Sequence, residues 1–383
     1  MRKVWPLLTL TLMLHPAAMA GEPTPMDRIL PADAVSLIAV HSIYSPPQGV
    51  HGWPTDNLFH YRLYLPGDYY ADSERKYPLM FIASPHGDAD MAEMAAPLKR
   101  DRWIVAMLVE SRNDSVLWLP DFVAAYDDVI RRVRVHERMI FCTGLSGAAR
   151  ACSAYPGVRP GFQGLILQAA GFMKRPDHLV GDNAHVVVYG TFGAHDFNLR
   201  EARRLRVSLP PHTRRLVEVW DGGHAWAPEE VFERALSWVE AKSLVEGDYD
   251  DRLADAYRWY FTNELARFDR SQSDIERYTL NQLVQTLPER WRLRLDETTS
   301  RKLQAISEAV TALAGDQALK REIRARDAFH EVLALDEASR GADLRDLAER
   351  YGMIDEQYAG TVGGRLAGIR RRSLLRESGD GRQ

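Results

Sequence analysis

Cysteine is scarce in this chain: only Cys142 and Cys152 occur in 383 residues, so at most one disulfide can form. Cys142 falls inside a predicted central strand and Cys152 on the helix that follows. Backbones so placed lie about 10 Å apart, whereas bridged Cα atoms rarely exceed about 7 Å, and two buried free thiols are therefore expected. Charge of one sign is also lacking. A formal net charge of -4 gives no electrostatic reason to bind nucleic acid. After residue 20 no run is apolar enough to span a bilayer, which argues against stable membrane insertion. Proline and β-rich runs both give out after the acidic stretch 246–251, beyond which Pro288 alone remains of the 20 prolines.

What is present begins with a short address. Arg2 and Lys3 precede an apolar run from Val4 to Leu14, and Ala18-Met19-Ala20 has the small-residue spacing of a cleavage site. Residues 1–20 are read as a signal peptide of the general secretion route, and the mature protein as periplasmic or secreted. The rest, 45% hydrophobic and 27% charged overall, has a globular composition with length for one large or two moderate domains.

From Tyr61 to about Leu244, β-rich runs alternate with amphipathic helical patterns, the signature of a mostly parallel sheet with helices on both faces. The predicted strands are Tyr61–Tyr64, Leu79–Ala83, Trp103–Leu108, Arg138–Thr143, Gly164–Gln168, His185–Tyr189 and Arg215–Val219. Helical spacing marks Leu119–Val133, Ala148–Tyr155, Leu199–Val207 and Glu229–Leu244. Beyond 251 only helical stripes remain, such as Leu303, Ile306, Val310 and Leu313 on one face. The expected organisation is an α/β domain over 21–246, an all-α C-terminal domain over 252–376 and a disordered tail from 377 to 383. The run of arginines from Arg365 to Arg376 reads as a solvated helix face.

Chemistry concentrates at Gly144-Leu145-Ser146-Gly147-Ala148, between a predicted strand and a predicted helix. A serine on so sharp a strand-to-helix turn is held out of the sheet, and small neighbours relieve the crowding. A serine hydroxyl needs an adjacent base, which in such a sheet follows later in the order serine, acid, histidine. Asp196 stands just past the strand His185–Tyr189, and His224 follows Gly222-Gly223 past the next strand, where the two glycines are expected to free the loop. Asp196 could instead cap the helix near Leu199; Asp221 and His195 are the reserve acid and base. An oxyanion hole would use the N–H of Gly147 and a second donor from Gly87 or Asp88, in the loop after Leu79–Ala83. The Asp88 carboxylate would oppose an anion there, so it is expected to turn away or to meet a substrate cation.

Tyr61-Arg62-Leu63-Tyr64-Leu65-Pro66, Tyr77-Pro78-Leu79-Met80-Phe81, His86-Gly87, Arg138 ahead of Gly144-Leu145-Ser146, and Gly222-Gly223-His224-Ala225-Trp226 together resemble the secreted esterases related to polyhydroxybutyrate depolymerases and to feruloyl or acetylxylan esterases. The resemblance covers roughly residues 55–245 and stops short of the helical tail. It implies an α/β-hydrolase fold, a triad of Ser146, Asp196 and His224 that needs no metal or other cofactor, and an oxyanion donor just after His86-Gly87. His86, Leu145 and Trp226 are the expected substrate-binding side chains. Ser84-Pro85 and Ala148 depart from the family pattern.

The function expected on these grounds is hydrolysis of carboxylic esters, small or attached to a polymer, through an acyl-enzyme at an open site. Two alternatives stand beside it: an inactive scaffold whose helical domain binds a protein partner, and a serine peptidase of the same fold.

Overall fold

Successive residues of the buried strands point into two different cores, because side chains alternate across a pleated sheet. Leu79, Phe81 and Ala83 enter one core and Met80 and Ile82 the other; Leu165 and Leu167 are likewise separated from Ile166. The computed structural model describes residues 24–378 except 27, 47–51, 174–178, 180–182, 203–204, 206–208, 210–213, 246–253, 272 and 339–343. The predicted signal segment, the acidic stretch 246–251 and the residues beyond 378 lie outside that set.

The strands are β1 (Val35–His41), β2 (Leu58–Tyr64), β3 (Tyr77–Ala83), β4 (Ile104–Leu108), β5 (Val135–Leu145), β6 (Phe162–Gln168), β7 (Val187–Gly193) and β8 (Arg215–Trp220). They form one sheet in the order β1-β2-β4-β3-β5-β6-β7-β8. The pairs β1–β2 and β2–β4 are antiparallel, and from β4 to β8 every pair is parallel. Strands β3, β4, β6 and β7 are buried at every residue, as near-continuous apolar runs require. β1 was not among the predicted strands. It lies at the sheet edge, where Val35 and Leu37 are exposed and only Ile38 and Val40 are buried.

Helices α1 (Ala95–Arg100), α2 (Trp118–Arg132), α3 (Gly147–Ala154) and α4 (Glu229–Val245) cover the two faces. Helices α2 and α3 line one core, while α1 and α4 line the other. The chain continues through α5 (Ala254–Arg270), α6 (Asp274–Val284), the single turn α7 (Leu287–Arg290), α8 (Glu297–Leu313), α9 (Gln317–Ala338), α10 (Leu344–Gln357) and α11 (Val362–Glu377). Tyr257, Phe261, Leu280, Trp291 and Val310 from α5 to α8 join the core under α4, whereas Phe329, Leu333, Tyr351 and Ile369 from α9 to α11 join the core under α2 and α3. The late helices are thus packed onto both sheet layers. Among the described residues no helix is long and apolar enough to cross a membrane.

One expectation about this region needs correcting. The helix α11 runs through Glu377. Its arginines do not form one solvated face: Arg370 is buried, with Nε 2.7 Å from Asp336 Oδ2, because the Ala367-Gly368-Ile369 side of the helix turns inward.

The cysteines also depart from expectation. Cys142 and Cys152 form a disulfide, their Cα atoms 5.9 Å apart. The usual helix-to-sheet spacing does not apply here, because α3 begins one residue after Ser146 and its first turn lies against the strand end. A Cβ built on Gly144 would stand 2.7 Å from the main-chain carbon of Ala148, so only glycine permits that approach.

Candidate active site

The parallel strands β5 to β8 end on one edge, and the turns that follow them carry the candidate side chains. Ser146 follows β5 with φ 55° and ψ -121°, a left-handed conformation that costs a non-glycine residue about 1–3 kcal/mol. Its N–H donates to the Gln168 carbonyl at 2.8 Å, which ties the turn to the end of β6. The turn is the strained strand-to-helix corner that the sequence Gly144-Leu145-Ser146-Gly147 predicts.

Asp196 follows β7, and His224 follows β8. They meet: His224 Nδ1 lies 2.9 Å from Asp196 Oδ1. The same carboxylate oxygen accepts the Asn198 N–H at 2.7 Å, while Oδ2 is buried with no hydrogen-bond partner among the described residues. Burial pushes the Asp196 carboxyl above its ordinary range, against the opposing pull of the Asn198 N–H and His224. The imidazole is partly open to solvent, and the exposed ring of Phe197 lies over it with centroids 4.1 Å apart. Among the described residues the Ser146 hydroxyl makes no hydrogen bond to His224.

The two loops are held together by close main-chain contact. Ala194 N–H donates to the Trp220 carbonyl at 2.8 Å and His195 N–H to the Gly222 carbonyl at 2.9 Å. A Cβ on Gly193 would stand 2.3 Å from the carbonyl oxygens of Gly222 and Gly223, and one on Gly222 would enter the Trp220 ring. Gly222 therefore serves close approach more than the loop freedom expected of it.

Three polar residues that sequence reasoning passed over complete this frame. Gln168, buried at the end of β6, accepts the Ala227 N–H at 2.9 Å and donates to Thr143 Oγ1 at 3.0 Å, so the histidine loop and the serine turn share one anchor. Asn198 Nδ2 donates to the Ala169 carbonyl at 3.0 Å and fastens the acid loop to the same strand end. Asn113 lies across Gly147: its amide Oδ1 is 1.8 Å, and Nδ2 3.1 Å, from the position a Gly147 Cβ would take. The only signal for these positions is a polar side chain in or beside an otherwise apolar run, which for Gln168 was visible at the end of Gly164-Leu165-Ile166-Leu167.

The other predicted residues fall as follows. The expected second oxyanion donor does not fit: Gly87 N–H donates to the Ser84 carbonyl at 3.2 Å and Asp88 N–H to the Val109 carbonyl at 2.7 Å, because the segment after β4 lies alongside this loop. The Asp88 carboxylate turns away and pairs with Arg62 at 2.7 Å. His86 is exposed, its N–H 3.3 Å from Ser84 Oγ, and it bridges to Arg112. Leu145 is half-buried beside Ser146, and Trp226 packs against the core under α4. Asp221, the reserve acid, faces Arg365 at 3.6 Å instead of His224. His195, the reserve base, has its pKa lowered by partial burial first and then by Arg376. Arg365 to Asp221, and Arg200 to Glu377 at 3.0 Å, set α11 against the rim formed by the loops after β7 and β8. A separate cleft of about 690 Å³ opens at the other end of the strands, lined by Lys76, Arg138 and Trp259 among others.

The fold is a mostly parallel sheet with helices on both faces, followed by an all-α C-terminal region. No family model matches the chain, and no curated protein matches it. Solved structures similar to it include a ferulic acid esterase, 13% identical at TM-score 0.39, covering 54% of this chain and 97% of that one. The esterase domain of a Rhodothermus marinus protein is 11% identical at TM-score 0.40, over 54% of this chain and 97% of its own. Est1E from Butyrivibrio proteoclasticus is 12% identical at TM-score 0.40, over 50% and 98%. Likenesses at such identities and TM-scores carry no inference about activity or substrate.

Proposed function

We propose that this chain is an exported serine hydrolase that cleaves carboxylic esters through an acyl-enzyme, with Ser146 as nucleophile, His224 as general base and then acid, and Asp196 as the residue that orients the imidazole. The reading rests on one observation above all: a buried carboxylate and a histidine, 2.9 Å apart, are delivered by adjacent loops to the sheet edge where a serine stands in a strained turn. An ionised Asp196 can only accept, so it holds the proton on His224 Nδ1 and leaves Nε2 free to take another. Ser146 Oγ bonds to the carbonyl carbon while its proton passes to Nε2 and the carbonyl electron pair moves to oxygen. Collapse expels the alcohol, which leaves with the proton from Nε2, and water repeats the sequence on the acyl-enzyme. The serine–histidine hydrogen bond that this requires tightens in the substrate complex, as such bonds commonly do.

Export is supported by the N-terminal pattern and by the Cys142–Cys152 disulfide, a bond at home in oxidising compartments. Substrates attached to a polymer suit the exposed rim around His224. The scaffold reading draws on the engaged N–H groups of Gly87 and Asp88, which leave the usual oxyanion loop without a donor.

A fluorophosphonate probe and short p-nitrophenyl esters test the proposal. The full chain should be labelled and should turn over ester, and Ser146→Ala should abolish both. Turnover by Ser146→Ala at the wild-type rate, or a wild-type chain that neither labels nor hydrolyses, ends the reading; faster turnover of peptides than of esters would make the chain a peptidase.

A further inference from the structure

Acyl transfer needs two donors aimed at the developing oxyanion, and this fold holds only one of the expected pair in a usable state. Gly147 N–H heads α3. In the loop after β3 the N–H groups of His86, Gly87 and Asp88 are directed to Ser84 Oγ, the Ser84 carbonyl and the Val109 carbonyl. A polar side chain occupies the position beside Gly147 instead. We infer that the side-chain amide of Asn113 is the second oxyanion donor, a catalytic residue that replaces the backbone N–H of the loop after β3; this rests on the serine-hydrolase reading above.

Three observations carry it. First, the amide fills the space that a Gly147 Cβ would take, with Oδ1 1.8 Å and Nδ2 3.1 Å from that point. It is therefore in contact with the residue whose N–H supplies the other donor, and it explains why glycine follows Ser146. Second, the amide is uncommitted: neither end has a hydrogen-bond partner among the described residues, and the residue is exposed. Third, its backbone is fixed. Asn113 N–H donates to the Pro85 carbonyl at 2.9 Å, and Ser111 N–H donates to the buried Asp121 carboxylate at 2.6 Å. Glu110 is held by His60, through the ring Nδ1 at 2.8 Å and the main-chain N–H at 2.9 Å. A donor whose main chain is held in place before the reaction has less to reorganise, which is what an oxyanion hole requires.

An amide also solves the difficulty posed by Asp88. The carboxylate in the expected loop would repel an oxyanion, and its pairing with Arg62 removes it together with the loop N–H groups. As the carbonyl carbon becomes tetrahedral, its oxygen gains negative charge over Gly147 N–H, and Asn113 Nδ2 donates to it from the side.

The test is steady-state hydrolysis of p-nitrophenyl acetate by the full chain, with fluorophosphonate labelling and thermal unfolding in parallel. Asn113→Ala should lower kcat by about 10²–10³-fold, the usual effect of deleting one such donor, with KM and the unfolding midpoint little changed. Asn113→Asp should be at least as slow, since it presents an acceptor to an anion. Gly147→Ala should displace the amide and slow wild type markedly, yet lower the rate of Asn113→Ala by less than about threefold, because the donor it displaces is already gone. A wild type that labels and turns over while Asn113→Ala keeps kcat within about threefold overturns the assignment and leaves the serine-hydrolase reading standing. A wild type that does neither overturns both.

Discussion

Two parts of the molecule bury carboxylates, and they do so with different partners. At the carboxyl edge of the sheet Asp196 is buried against a histidine. In the helical region Asp336 is buried against Arg370, and Glu264 lies 3.7 Å from Arg267. The difference is chemical. Imidazole gains and loses a proton near neutral pH and can pass it on, whereas guanidinium stays charged and can only pair. A buried acid beside histidine is thus equipped to manage protons, and a buried acid beside arginine to fix how helices pack. The contrast predicts opposite consequences for the same kind of deletion.

The largest effect belongs to the edge. Asp196→Asn keeps the shape but no longer fixes the imidazole tautomer, so kcat for ester hydrolysis should fall by about 10³–10⁴-fold. Stability should not fall with it. The folded-state pKa of Asp196 is raised, so its ionised form destabilises the fold as pH rises above the ordinary carboxylate value, and the neutral amide removes that cost. Asparagine at 196 should unfold at pH 7 no earlier than wild type in a thermal scan. A variant that is fully active and less stable would make Asp196 a structural cap, and the contrast between the two regions would disappear.

In the helical region the order reverses. Arg370 Nε and Nη2 donate to Asp336 at 2.7 and 3.3 Å, and Nη1 donates to Glu377 at 3.1 Å, which joins α9 to α11. Arg370→Ala leaves the buried Asp336 carboxylate without a cation, with only the Tyr351 hydroxyl 3.4 Å away, and should lower the unfolding free energy by about 3–5 kcal/mol. Replacing both partners, as in Asp336→Leu with Arg370→Met, should recover most of the loss. Denaturant titration measures both. At a temperature where each variant is folded, kcat should stay within a few fold of wild type; a collapse of kcat in the paired variant would show that α11 shapes the site through its contacts to Asp221 and Arg200.

How far the sequence reveals each region follows from the same physics. The runs Leu79–Ala83 and Gly164–Gln168 are legible as strands because both faces are covered and, Gln168 apart, their positions are apolar or glycine. The edge strand β1 is not, because half of it meets water. Asp196 and His224 are legible by their order after a Gly-Leu-Ser-Gly turn. Asn113 and Asn198 are not, since single polar residues in loops carry no periodicity, and the partner of the Asn198 amide is a carbonyl that any sequence provides. The disulfide is not legible, because the general helix-to-sheet spacing does not hold for a helix that Gly144 lets in unusually close. The helical stripes predicted helices, but the buried charges that dock them, such as Arg370, are indistinguishable in sequence from a solvated face.

The smallest effect tests whether a buried acid without a strong partner behaves as either class. Glu240 on α4 is buried, its Oε1 has no hydrogen-bond partner among the described residues, and burial first, then Asp101 and Glu264, push its carboxyl well above the ordinary value. A raised folded pKa means that the native state holds this proton more tightly than the unfolded chain. Stability is therefore greatest below the ordinary carboxylate value and declines as pH rises from there toward the folded-state value. Glu240→Met removes the group and its pH dependence together. At pH 8 it should raise the unfolding free energy by about 1 kcal/mol or more, the direction expected when a buried charge gives way to an apolar side chain of similar length. At pH 4 the gain should shrink, because the wild-type carboxyl is then neutral in the folded state and mostly neutral in the unfolded chain. Denaturant titrations at the two pH values decide it: a gain equal at both would come from packing alone, and a loss at pH 8 would mean that Arg267 and Arg100 hold Glu240 charged, as Arg370 holds Asp336.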